Sequence, residues 1–370
     1  MSGGMKMIET LARKCIFEHP DYIPGKPVEE VKKELGLSDI IKLASNENPL
    51  GTSPLALKAM QEELMTNTCR YPVSLCPELA RKIAQRLGVR PSQIYIDNGE
   101  DAVITMFGLT FFNPGEEIIT SSLTFAAYAN IAAKMGARLI KVPATENGDI
   151  DLEGVARAVS DRTKAIFICN PNNPTGKIVT HAEVTTLLNK VPANVLVVLD
   201  EAYIDFVDDV NYPRSLDLLS RYPNLLLMRT FSKVYGLAGI RCGYAIASDD
   251  IVRMMLKARE PFPVNRLAQV GALAALDDTE FRERTLKNNC DAKKYFYNAL
   301  DRMGIAYYRT CGNFICIKLK DRVNEVYEKL LKKGIITRPC AGMGDPEGLR
   351  ITFGTQQENE RAVKALKECL

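Results

Sequence analysis

The sequence predicts an α/β protein in which a large domain with a mostly parallel sheet is joined to a smaller α+β domain. Three observations carry that expectation. From about residue 90 to 250, short apolar runs alternate with amphipathic helical patterns, as a parallel sheet covered on both faces requires. The last hundred residues change rhythm: helical patterns near 266–303, 322–333 and 356–368 are separated by strand-like runs at 314–319 and 349–353. A chain of 370 residues with 46% hydrophobic content is also long enough to bury two cores. We therefore expect a large domain over 45–262 and a small domain made of 1–44 and 263–370.

Taken in order, Ser53-Pro54 opens a helix with a good cap and a first-turn proline, and Pro77 to Leu87 forms another that stops at Gly88. The clearest buried strands are Ala165 to Cys169, Val195 to Leu199, Leu225 to Met228 and Tyr244 to Ala247. Thr355 with Glu358 three residues later is a capping-box signature for the final helix. Ligands of open parallel sheets bind outside the carboxyl ends of the strands. The chain after Asn170, Asp200 and Thr230 is therefore expected to converge on one crevice.

Bulk properties exclude several classes. Lys+Arg 48 against Asp+Glu 45 gives a net charge of +3, too balanced for nucleic acid or an anionic membrane as partner. Met1 to Met7 lead into polar sequence without an apolar signal core, and no stretch approaches the length of a membrane span, so a cytoplasmic protein acting on small molecules is expected. Ten cysteines without a C-x-x-C pair read as mostly reduced core residues. With only His19 and His181, neither a metal site nor a serine-histidine triad is expected, and His181 after Thr180 reads as a surface or capping residue at a helix start.

Three segments at the strand ends carry unusual chemistry. Asn170-Pro171-Asn172-Asn173-Pro174-Thr175-Gly176 has too many prolines and asparagines to be regular, although an ordinary turn also explains it. Asp200-Glu201-Ala202-Tyr203 puts an acid where a buried strand ends and a phenol three residues later; Asp200 as a helix cap is the plain alternative. Thr230-Phe231-Ser232-Lys233 runs into Tyr235-Gly236-Leu237-Ala238-Gly239-Ile240-Arg241-Cys242-Gly243, which combines hydroxyls, cations and permissive glycines as an anion site does. A lysine between a buried strand and such a turn is a candidate desolvated amine, against the usual surface lysine.

Together and in this order, these segments resemble the fold-type-I aminotransferases. The resemblance extends to Lys42-Leu43-Ala44-Ser45-Asn46-Glu47-Asn48-Pro49-Leu50-Gly51 and to Leu349-Arg350-Ile351-Thr352-Phe353-Gly354, and so spans nearly the whole chain. It implies pyridoxal 5′-phosphate as cofactor, with Lys233 joining the cofactor aldehyde as an imine and carrying the substrate proton. It further implies that Asp200 keeps the pyridine nitrogen protonated, that Asn173 and Tyr203 bond the phenolic oxygen, and that Phe125 stacks on the ring. Thr230, Ser232 and Arg241, with backbone amides around Gly99-Glu100-Asp101, would hold the phosphate, joined by Tyr71 from the partner subunit of a homodimer. Similar proteins usually read Gly-Ser-Asp-Glu where this chain has Gly99-Glu100-Asp101-Ala102. Beside an anion, Glu100 is expected in an outward-facing rotamer.

Within the class the resemblance is nearest to the histidinol-phosphate aminotransferases, on Pro20-Asp21-Tyr22-Ile23-Pro24-Gly25-Lys26-Pro27, on Leu43 to Pro49, and on Gly334-Ile335-Ile336-Thr337-Arg338-Pro339. It implies that Tyr22, Asn46, Asn173, Arg338 and Arg350 handle the substrate. The expected reaction converts histidinol phosphate and 2-oxoglutarate to imidazole acetol phosphate and glutamate. An aromatic amino-acid aminotransferase on the same frame stays open, as does a decarboxylase of a phosphorylated amino acid. A non-enzymatic regulator would lack the lysine or carry a fused DNA-binding domain, and the sequence has neither feature.

Overall fold

A computed structural model describes residues 11–17, 28–37 and 39–370. Its twelve strands are β1 Ile41–Lys42, β2 Ile94–Asp97, β3 Glu117–Ser121, β4 Arg138–Val142, β5 Thr163–Cys169, β6 Leu196–Asp200, β7 Leu225–Thr230, β8 Gly243–Ala247, β9 Phe314–Lys318, β10 Ile335–Ile336, β11 Arg338–Pro339 and β12 Gly348–Thr352. Seven of them form one sheet in the order β2-β8-β7-β6-β5-β3-β4. Its central pairs are parallel, and β8 alone runs against its neighbours.

The central strands β5, β6 and β7 are covered on both faces because they are apolar along most of their length. Ile166, Ile168, Val197, Leu199, Leu225 and Leu227 pack into the core on one face, while Ala165, Phe167, Val198, Leu226 and Met228 pack into the core on the other. That is the two-residue alternation of side chains across a strand, with both sets buried. Register then decides what meets at the carboxyl edge. Cys169 pairs with Asp200, Asp200 with Met228, and Thr230 with Gly243, so the chain leaves β5, β6 and β7 side by side.

The second core gathers Phe296, Ile315, Ile317, Val326, Leu349, Ile351 and Leu366 around the antiparallel sheet β11-β12-β9. Leu43 belongs to it: β1 pairs with β10, and Leu43 then donates to Ile336 O at 2.7 Å and accepts from Thr352 N at 2.8 Å. This threading carries Asn46 to the mouth of the large sheet.

Several helix limits follow the expected signals. Ser53 Oγ accepts from Ala56 N at 3.2 Å to start Pro54–Thr66, Pro77–Leu87 ends at Gly88 with φ 68°, and Thr355 and Glu358 form the capping box of Gln356–Cys369. The helical pattern over 266–303 divides, however, into Arg266–Ala275 and Thr279–Met303. Asp278 causes the break: its carboxylate caps Phe281 N at 3.1 Å and also accepts from Ser53 Oγ at 2.6 Å. Val264, Ala268, Ala272 and Ala275 pack into the large core. The stretch from Val264 to Ala275, just beyond residue 262, is thus packed with the large sheet.

Candidate active site

A cavity of about 670 Å³ opens where the carboxyl ends of β5, β6 and β7 meet β11 and β12 of the smaller unit. The loop after β5 uses its asparagines in two ways. Asn170 closes the loop on itself, donating to Val179 O at 3.2 Å and accepting from Val179 N at 3.0 Å, and Asn172 ties it to Thr124 and Leu123. Only Asn173 faces the cavity, where its carboxamide oxygen accepts from Arg350 Nη1 at 2.5 Å.

Asp200 is 2% exposed and accepts from the Tyr128 hydroxyl at 2.5 Å and from Ala202 N at 3.1 Å. Burial raises its carboxyl above the ordinary range, and those donors pull it back. Tyr203, 5% exposed, accepts from Asn46 Nδ2 at 2.9 Å, which leaves its own proton free to donate.

Lys233 faces the cavity, with Nζ 3.2 Å from Ser45 O and 5.7 Å from the Tyr203 ring centroid. Burial first, and the Arg350 charge second, lower its amine from the usual lysine range to about 8. The amine is therefore partly free base at neutral pH and mostly so above about 8.

At the far end, Thr230 Oγ1 and Ser232 Oγ stand 2.9 Å apart, with the Ser232 amide donating to Thr230 Oγ1 at 3.1 Å. Gly99 caps the helix Glu100–Phe111 with φ 82°, and a Cβ there would come within 2.5 Å of Arg241 Nη2. Absence of a side chain at Gly99 is what lets the guanidinium lie across the start of that helix. Arg241 itself has φ 61° and reaches Asp101 at 3.3 Å. Hydroxyls, a guanidinium and a helix start around one space make an anion site.

Opposite Lys233, Arg338 and Arg350 are directly paired across β11 and β12, so both guanidinium groups lie on one face. Arg350 is 6% exposed and donates to Ala44 O at 2.6 Å, while its Nε has no partner among the described residues. Arg338 has no carboxylate partner among the described residues and lines the same cavity.

Glu100 departs from expectation. The outward-facing rotamer is not adopted: the side chain turns inward to within hydrogen-bonding reach of Asp200, and its buried Oε1 has no donor among the described residues. Burial first and the Asp200 charge second push its carboxyl well above the ordinary range.

Thirteen of the expected residues thus line one cavity: Asn46, Glu100, Asp101, Phe125, Asn173, Asp200, Tyr203, Thr230, Ser232, Lys233, Arg241, Arg338 and Arg350. Gly99 shapes it from the helix start. Tyr71 does not line it and is 80% exposed, stacked on Phe262 at 4.9 Å; Tyr22 lies outside the described residues, as does the segment from Pro20 to Pro27.

Comparison with known proteins matches residues 38–366 to the aminotransferase class I and II family. The chain belongs to that family. Similar full-length relatives are the histidinol-phosphate aminotransferases of Brevibacillus brevis, 44% identical over 96% of this chain and 97% of its own, and of Moorella thermoacetica, 45% identical over 97% and 92%. Among solved structures, histidinol-phosphate aminotransferase from Sinorhizobium meliloti in complex with pyridoxal-5′-phosphate superposes with a TM-score of 0.89 at 26% identity, covering 97% of each chain. An aspartate aminotransferase from Thermus thermophilus, at TM-score 0.84 and 21% identity over 97% of this chain and 99% of its own, shares the fold.

Sequence reasoning missed several residues of this aminotransferase's cavity. Tyr128, the hydroxyl partner of Asp200, sits behind the cavity wall in the first turn of the helix Ala127–Met135, and no local pattern in the sequence marks it. Met343, within 3.9 Å of Arg350 Nη1, and Ser45, whose carbonyl holds Lys233, gave no signal either. His181 begins the helix His181–Lys190 behind the Thr180 cap, as expected, and its Nδ1 accepts from Arg214 N at 3.3 Å. Among the described residues no group is placed to hold a metal ion, and no helix is long and apolar enough to cross a membrane.

Proposed function

We propose that this aminotransferase uses pyridoxal 5′-phosphate to move the amino group of histidinol phosphate onto 2-oxoglutarate, giving imidazole acetol phosphate and glutamate, as a cytoplasmic homodimer. The observation that carries the substrate reading is the Arg338–Arg350 pair. Two guanidinium groups directly opposite on one face repel each other, and an anionic substrate group in the cavity relieves that repulsion. A phosphomonoester dianion suits two arginines better than a neutral aromatic side chain does. The full-length histidinol-phosphate aminotransferase relatives support the same choice.

The residues around the cavity fit the cofactor. A lysine amine lowered to about 8, a buried carboxyl at a strand end, a hydroxyl pair and a guanidinium lying over a glycine form a complementary donor set. When bound, the cofactor supplies an aldehyde for the amino group and an electron-withdrawing ring for the carbon that loses its proton.

With the cofactor bound, Lys233 Nζ would take that proton from the substrate carbon and hold it for return. Asp200, held by Tyr128 and Ala202 N, would keep the ring nitrogen protonated. The Asn173 oxygen is taken by Arg350, which leaves its NH2 to donate to the phenolic oxygen alongside Tyr203. Phe125 covers the ring; Thr230, Ser232, Arg241 and the amides of Gly99, Glu100 and Asp101 hold the phosphate. Tyr22, Asn46, Arg338 and Arg350 orient the substrate.

The exposed apolar strip of Tyr71, Val73, Leu75 and Phe262 supports a subunit interface, and ten free cysteines suit a reducing compartment. The test is to incubate the purified chain with histidinol phosphate and 2-oxoglutarate. Glutamate should appear mole for mole with substrate consumed, without carbon dioxide; carbon dioxide release, or turnover independent of 2-oxoglutarate, would refute transamination.

A further inference from the structure

Glu100 is the first residue of the helix Glu100–Phe111, at the wall of the cavity, and its carboxyl turns back toward the end of β6 rather than out to solvent. There it meets Asp200, which already accepts from the Tyr128 hydroxyl and from Ala202 N. Buried Oε1 of Glu100 has no donor among the described residues. Two carboxyl groups in contact hold together only if they share a proton, because both cannot ionise at that separation without a cation between them.

Among the described residues, the surrounding groups supply no such cation. Asp101 on the same helix adds negative charge and takes the Arg241 guanidinium at 3.3 Å. Lys233, beyond β7, holds Ser45 O at 3.2 Å and attracts Glu100 only through space. Tyr128 from the neighbouring helix and Cys169 from the end of β5 face the pair as un-ionised groups, both pushed up by burial. A proton is what remains to neutralise the contact.

We propose that Glu100 is a positioning residue that competes with the cofactor for Asp200: in the cofactor-free chain its carboxyl is protonated against Asp200, and loading the site displaces the side chain and releases that proton. This rests on the cofactor assignment proposed above. The step balances simply, since the neutral acid becomes a carboxylate and one proton passes to solvent. A serine at this position is too short to reach Asp200, so the competition belongs to chains with a long acid here. Burial and the Asp200 charge, which push the Glu100 carboxyl well above its ordinary range, set the pH region in which the proton is held.

The test titrates pyridoxal 5′-phosphate into the full-length chain stripped of cofactor, by calorimetry in buffers of different ionisation enthalpy, across a pH series. Wild type is compared with Glu100→Gln, which keeps the shape and cannot ionise, and Glu100→Ser, which cannot reach Asp200. Ionisations of the cofactor and of Lys233 are common to all three and cancel in the differences. Wild type should release one proton more than either variant in the acidic range, and its affinity should gain an extra factor of about ten per pH unit there, since one released proton makes the association constant scale inversely with proton concentration. Glu100→Ser should bind at least about tenfold more tightly than wild type at the acidic end. Equal proton release and equal pH slopes in the three proteins, with cofactor bound by all, would overturn the proposal while leaving the cofactor assignment standing. Failure of every protein to bind the cofactor would overturn both. A folding defect confined to Glu100→Ser leaves the comparison with Glu100→Gln decisive.

Discussion

Lys233 and Asp200 carry the chemistry, and their environments make separate demands on experiment. With its amine lowered to about 8 rather than the usual 10.5, Lys233 is protonated below that value and free base above it. The rate at which the stripped chain captures the cofactor aldehyde should therefore rise with pH through about 8 and then level off, and borohydride reduction followed by peptide mapping should find the adduct on Lys233. A rise continuing to pH 10, or an adduct on another lysine, would remove Lys233 from its role. Asp200→Asn keeps the shape and loses the charge; a charge-assisted hydrogen bond is worth about 1.5–3 kcal/mol, so cofactor affinity should fall by about 10- to 100-fold. Single-turnover proton abstraction should fall much further, and an unchanged rate would contradict the electron-sink role. Both residues were legible in the sequence because each directly follows a buried apolar strand. Tyr128 and the inward turn of Glu100 were not, because both depend on which neighbours the fold brings against Asp200.

At the level of elements, the phosphate end depends on how closely the helix Glu100–Phe111 approaches the turn after β7. Gly99→Ala would place a methyl 2.5 Å from Arg241 Nη2 at a φ of 82° that suits glycine. Cofactor affinity should drop at least tenfold, with pyridoxal lacking the phosphate affected far less; equal losses for the two ligands would mean a general collapse of the site. Asp278 caps one helix and bonds the cap of another, so Asp278→Ala should destabilise the fold by about 1–3 kcal/mol, visible as a lower urea midpoint at unchanged slope. The strands were readable from apolar runs and the helix starts at Ser53 and Thr355 from cap residues. The break near 278 was obscured, since helical periodicity continues on both sides of it and the partners of Asp278 outside its own helix, Ser53 Oγ and Leu55 N, are distant in sequence. Pairing of Arg338 with Arg350 is equally a matter of strand register, which no local pattern in either segment announces.

For the whole molecule, the proposed homodimer takes the exposed Tyr71–Phe262 stack as part of its interface, with Tyr71 serving the partner's cofactor phosphate. Dilution should then cost activity and bound cofactor together, and Tyr71→Phe should weaken cofactor binding; sedimentation of a fully active monomer would contradict this. The broad two-part architecture could be read from rhythm and length, whereas the course of Leu43 through the second core could not, because it joins residues some three hundred positions apart. Substrate choice is where the account is most exposed. Loss of one partner from a buried charge pair costs about 2–5 kcal/mol, which is roughly a 30-fold or greater change at 1.4 kcal/mol per tenfold. The deciding measurement is kcat/KM for wild type and Arg338→Ala, each with histidinol phosphate and with phenylalanine as amino donor to 2-oxoglutarate. The account predicts that wild type prefers histidinol phosphate and that the substitution cuts efficiency with it by about 30-fold or more while barely changing that with phenylalanine. Equal losses for the two donors, or a wild-type preference for phenylalanine, would contradict it.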